Sequence, residues 1–242
     1  MQTVIKPDFS VSETIAESWK KVSGSKLAYF KALVAVICAV IFFMLLEVIL
    51  RVVLGENLLL RILLEILRVI VQLCLGAGIL VLGLRRTLNM PLDTKHLLDP
   101  LTRLWPLALA AVLQTLVYMS PGLLFIPIYF IGLGPLAIVL GVLAVCLMLY
   151  ALIALAFVQP LVLAGQHAPA RAVMLSIAGT SRHCFRVLLL FIVNGLACLA
   201  GALTLGLGLI WALPFTINTI AVAYARIFGL EREKLEAIVY WR

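Results

Sequence analysis

Glu47, Arg51, Glu56, Arg61, Glu65 and Arg68 are six charges set in an otherwise apolar stretch. Charge inside or beside a bilayer is expensive, so such a cluster marks a candidate ion or lipid-headgroup site. Its spacing offers a second reading. Glu47 mirrors Arg68, Arg51 mirrors Glu65 and Glu56 mirrors Arg61 about residues 57–58. An antiparallel helical hairpin turning there would set opposite charges at matching heights. Glu47 with Arg51, and Arg61 with Glu65, are also i,i+4 neighbours on their own helices. The complete pairing favours a self-neutralising ladder at the membrane interface over a ligand site.

The deeper polar residues in the apolar runs are amides, Gln72, Gln114, Asn194 and Asn218, the last accompanied by Thr216, Thr219 and Tyr224. Amides bond across helices and typically contribute about 0.6–2 kcal/mol. They exchange no proton, and without a midplane acid, histidine or lysine a proton relay lacks its usual groups. Interhelical bonding is the favoured role; a substrate path past Gln72, Gln114 and Asn218 is the alternative. His183-Cys184 sits between Arg182 and Arg186, where positive charge would favour a thiolate or a palmitoylated cysteine. Neighbours on a helix project apart, so a plain interfacial position is favoured. The five cysteines form no CxxC pair, and the chain contains no serine-hydrolase elbow, P-loop or HExxH. No catalytic residue, metal site or cofactor is expected.

The elements that would carry these residues are written in the composition. The chain is 64% hydrophobic and 12% charged, with a mean hydropathy of +1.19. A soluble domain is roughly 45–50% apolar and about 25% charged. Lipid must therefore be part of this protein's solvent. The formal charge of +8 comes from four patches, 1–31, 85–103, 171–186 and 226–242, holding sixteen basic and eight acidic residues. Basic patches on alternate sides of apolar runs place one membrane face in the cytoplasm, where anionic headgroups attract them. Nucleic acid is not an expected partner.

Six runs are long and apolar enough to cross a bilayer: 27–54, 58–84, 104–121, 136–158, 187–207 and 211–228. They imply an all-α, polytopic helix bundle of three hairpins, with both termini cytoplasmic. About 26 polar residues precede the first run, too many for a cleavable signal peptide. Residues 1–26 read as a cytoplasmic amphipathic segment. Ser10 and Glu13 have capping-box spacing, and Val11, Ile15, Trp19 and Val22 recur at helical intervals. Either the helix lies among the headgroups, anchored by Trp19 with Lys20 and Lys21 close by, or it is an ordinary solvated helix. Segment 121–135 carries three prolines and no charge, and reads as a kinked continuation of span three or a re-entrant fold. Pro169 opens a cytoplasmic helix between spans four and five. Residues 229–242 form a charged cytoplasmic C-terminal helix. Gly76-Ala77-Gly78 and Ala197-x-x-x-Gly201 permit close helix contact.

Trp19 before span one, Pro160 closing span four, Ala172-x-x-x-Ser176, and Pro214, Ala221, Tyr224 and Ile227-Phe228 in the last span form a pattern. In this layout the chain resembles uncharacterised bacterial six-helix membrane families related to the membrane domain of glycerophosphodiester phosphodiesterases. The resemblance implies a bacterial inner-membrane protein concerned with membrane organisation or the envelope. It brings no activity, because the catalytic domain of those enzymes has no counterpart here. The expected function is a structural or accessory membrane component, with membrane lipids and a membrane-protein partner or second copy as associates. A small transporter or channel is the alternative. A lipid-directed enzyme using His183 and Arg182 comes third, and a headgroup-sized basic pocket at the inner face would favour it.

Overall fold

The computed structural model describes residues 10–54, 57–130, 135–230 and 235. Every regular element among them is helical: α1 Val11–Val22, α2 Lys26–Leu54, α3 Leu58–Thr87, a 3₁₀ segment Thr94–Arg103, α4 Leu104–Phe130, α5 Pro135–Ala154, α6 Val158–Leu163, α7 Pro169–Ser181, α8 Cys184–Leu203 and α9 Leu209–Phe228. Six helical stretches are long and apolar enough to cross a membrane. The protein is thus an all-helical, membrane-embedded chain.

Several sequence readings resolve here. Helix α4 runs through Ser120-Pro121 to Phe130, so the proline-rich segment continues span three as helix over the described residues. Span four is interrupted near its end. Helix α5 stops at Ala154, and α6 resumes at Val158 with Pro160 inside it. The break frees backbone groups, and Ser176 of α7 satisfies them: its hydroxyl donates to the Ala154 carbonyl at 2.7 Å and accepts from the Phe157 N–H at 3.3 Å. Glu56, Gly55 and the proposed helix 231–242, apart from buried Leu235, lie outside the described residues.

Burial is uneven, and the unevenness locates the core. In its most apolar window α2 has no buried residue, whereas 56% of that window in α9 is buried. Helix α9 is therefore the central element. Its small residues Ala212, Ala221 and Ala223 admit close neighbours. The Thr216 and Thr219 hydroxyls bond to the carbonyls of Ala212 and Phe215 one turn back, so neither needs an outside partner. Tyr224, Ile227 and Phe228 of α9 pack with Phe157, Leu161 and Ala172. Gly179 of α7 permits this, because a methyl there would overlap the Phe228 ring, 2.6 Å from its Cε1.

Helix α1 runs antiparallel to α9. Glu13 and Glu17 pair with Arg226 at 2.8 and 2.9 Å. Trp19 meets Phe215 edge to face at 5.8 Å. Lys26, at the start of α2, has its ammonium 4.8 Å from the Trp211 ring centre. The face of α1 turned inward is Thr14, Ser18 and Val22, continued by Ser25, while Val11 and Ile15 are half-buried. Each of the three hydroxyls bonds to a carbonyl four residues earlier, so a polar stripe can be buried without unmet groups. Trp19 is 58% exposed. Upright spans would put Lys26 and Trp211 at opposite membrane faces, about 30 Å apart. Their contact means that α2 and α9 do not start at opposite faces.

Candidate functional site

The charged base of the first hairpin is built by a chain reversal after α3. Asn89 adopts φ 56°, a left-handed conformation that asparagine tolerates. The Leu88 and Met90 N–H groups bond back to the Leu84 and Arg85 carbonyls at 3.3 and 2.9 Å. Buried Arg85 donates to the Pro91 carbonyl at 3.3 Å and pins the returning strand of chain. The 3₁₀ segment then packs back onto α3. Its Leu97 backbone lies so close to Gly78 that a methyl there would be 2.7 Å from the Leu97 Cα. Gly78 thus receives the backbone of the 3₁₀ segment, whereas a methyl on Gly76 would meet nothing within 4 Å.

Between this linker and the start of α2 lies a cleft of about 590 Å³. Lys31, Arg86, Asn89, Asp93 and Thr94 supply its polar lining, and Leu27, Ala28 and Met90 part of its apolar lining. Arg86 is held by carbonyls: its Nε donates to Lys21 at 3.0 Å, and a terminal nitrogen donates to Ser23. Gly24, at φ 79°, lets the α1–α2 turn close beside that guanidinium. Lys21 donates to the Thr87 carbonyl at 3.1 Å and the Asn89 side chain at 3.4 Å, with Glu17 at 3.6 Å. Asp93 caps the 3₁₀ segment by accepting from the Lys95 N–H at 3.2 Å. That hydrogen bond, aided by the positive charge of Lys95, holds its carboxyl below the ordinary aspartate value. Lys31 is exposed and makes no ion pair or hydrogen bond among the described residues. Further along the linker, His96 and the almost fully buried Asp99 lie 2.8 Å apart.

The hairpin charges are arranged differently from the expected ladder. Among the described residues the ion pairs run along the helices: Glu47 with Arg51 at 2.9 Å, and Glu65 with Arg68 at 2.6 Å. Local i,i+3 and i,i+4 geometry has prevailed over cross-hairpin pairing. Glu47, Arg61, Glu65 and Arg68 instead line a cleft of about 310 Å³ between α2 and α3.

The amides do not converge. Gln72 is exposed on α3. Gln114 donates to the Leu155 carbonyl at 3.3 Å, next to the α5–α6 break. Asn194 is buried with its oxygen unmatched. Asn218 is fully buried and accepts from the Tyr29 hydroxyl at 2.7 Å, joining α2 to α9. His183 is buried, while Cys184 is only partly covered. Among the described residues no three His, Cys, Asp or Glu side chains gather as a metal site.

Sequence reasoning passed over Lys31, Tyr29, Asn89, Asp93 and the His96/Asp99 pair. Lys31 and Tyr29 stand within the first turns of span one, where a cation and a hydroxyl inside an apolar run are signals in themselves. Asp93 and Asn89 depend on a chain reversal that periodicity does not reveal. No protein family, curated protein or solved structure matches the chain. What fold and site define is a membrane-embedded helical protein with a mixed-charge cleft at the base of its first hairpin.

Proposed function

We propose that the protein is an integral inner-membrane component of structural or accessory type, acting through helix and lipid contacts. The exposed apolar face of α2 is the observation that carries this reading. It offers a long surface to lipid or to another helix while its base is tied to α9 through Tyr29 and Asn218. In this reading the membrane is the bacterial inner membrane, with the basic base of the first hairpin on its cytoplasmic side.

The placement of the amides argues against a shared transport path: Gln72 faces outward, Gln114 binds a carbonyl and Asn218 is sealed against Tyr29. A buried His183 is a poor start for lipid chemistry. The test is extraction with the native lipid annulus, followed by mass spectrometry of what co-purifies. A stoichiometric membrane-protein partner or specific lipid is expected. Recovery of the bare chain, with lipid in bulk proportions, would refute the accessory reading.

A further inference from the structure

We propose that the cleft at the base of the first hairpin holds the phosphodiester headgroup of a glycerophospholipid, with an acyl chain laid along α2. This deepens the lipid-contact reading above and rests on it. The cleft supplies two cations of different kinds. Arg86 is fixed, because its partners are the carbonyls of Lys21 and Ser23, which hold the guanidinium without neutralising it. Lys31 is unfixed, and its long stem lets the ammonium reach toward an anion from the lipid side.

Against these stands one lining carboxylate, Asp93, already engaged by the Lys95 backbone. The three formal charges leave +1, which matches a singly charged phosphodiester. Asn89 and Thr94 add neutral polar groups for the glycerol and headgroup oxygens. About 590 Å³ is room enough for a headgroup.

The apolar part of the site distinguishes a lipid from free phosphate. Val34, Cys38, Ile41 and Leu45 follow Lys31 at three- and four-residue intervals and are all exposed. They form one stripe on α2 beginning where Lys31 leaves the helix. From Lys31 to Leu45 the stripe is about 21 Å long at 1.5 Å per residue, the length of a common acyl chain. Inorganic phosphate could use the cations and nothing of the stripe.

Native mass spectrometry of the full, delipidated chain tests the proposal, with dioctanoyl phosphatidylglycerol, dioctanoylglycerol and inorganic phosphate as probes. Saturable binding of phosphatidylglycerol is expected, with neither of the others competing at equal concentration. Lys31→Gln should weaken it about fivefold, the factor for losing one surface cation worth about 1 kcal/mol. Because Lys31 makes no described contact, its circular dichroism should match the parent. Arg86→Gln should weaken binding too, but also loosens the α1–α2 turn, so Lys31 carries the test. Phosphate competing as well as the lipid overturns the lipid and assigns the cleft to a free anion. Equal binding of dioctanoylglycerol, or unchanged affinity in Lys31→Gln, overturns the headgroup site. Either result leaves the accessory reading to the co-purification of the unsubstituted protein, so the two failures are separable.

Discussion

Gly78→Ala is the smallest change that should disturb the whole base of the first hairpin. A methyl there overlaps the Leu97 carbonyl oxygen and lies 2.7 Å from the Leu97 Cα, where ordinary contact begins at 3.4 Å. The 3₁₀ segment must retreat by at least about 0.7 Å, the difference of those two distances. The obstacle is backbone, so no rotamer change relieves it. Overpacking of this kind costs about 1–3 kcal/mol. For a chain of this size the thermal midpoint falls roughly 2–4 °C per kcal/mol. Gly76→Ala is the control two residues away, with nothing within 4 Å of the new methyl. It should be neutral or stabilising by up to about 1 kcal/mol, because alanine is the better helix former. Thermal unfolding in detergent reads both. A second readout places Leu97→Cys, whose parent side chain is 5% exposed, in each background. Maleimide should label it faster when Gly78 is replaced and not when Gly76 is. Equal midpoints for the two alanine variants, or a thiol equally protected in both, would refute the packing argument.

Replacing Arg226 by Ala should free α1 from α9, since Glu13 and Glu17 both end on it. These pairs are partly exposed, so a loss of about 1 kcal/mol is expected, seen as faster proteolysis after Lys20 or Lys21 and a weaker effect at high salt. Tyr29→Phe leaves the buried Asn218 oxygen unmatched and should destabilise by about 1–3 kcal/mol. A double-mutant cycle with Asn218→Leu should return a coupling of about 0.6–2 kcal/mol, and zero coupling would mean the bond across α2 and α9 is absent. The Asp93 cap has a depressed carboxyl pKa, so its contribution is present above the ordinary aspartate value of about 3.9. It should disappear as pH falls through the lower folded value, and Asp93→Asn should remove that acid dependence from Trp105 fluorescence.

The number of membrane-length helices was legible because hydropathy and flanking charge are local properties. So were the Ser10 cap of α1, whose side chain accepts from the Glu13 N–H at 3.4 Å, and the helix opened by Pro169. What the sequence hid was relation. The charges around residues 57–58 are symmetric on paper, yet Glu47 and Arg51 are one turn apart on the same helix, and that proximity decides their pairing. The small residues of α3 advertise a close approach without naming the neighbour, which proved to be the linker backbone at Leu97. The repeat through Val11, Ile15, Trp19 and Val22 suggested which side of α1 would be apolar. Only Val22 of these is fully buried; the rest of the inward face is Thr14 and Ser18, continued by Ser25, which satisfy their own hydroxyls.

The contact of Lys26 with Trp211 ties these features into one argument. Because α1 is antiparallel to α9, the first hairpin begins beside the start of α9, where a level bundle would have placed it beside the end. Its base is then gripped from three directions: by Asn218 of α9 on Tyr29, by Arg86 on the carbonyls of the α1–α2 turn, and by the linker folded over Gly78. Beyond that base α2 has no buried residue in its most apolar window. A foot tied at three points and carrying an exposed α2 is suited to contacts with lipid or a neighbouring helix, and the cleft sits where foot and exposed stripe meet. The ties at the base fix Arg86, exposure above it admits an acyl chain, and Lys31 stands at the boundary between the two.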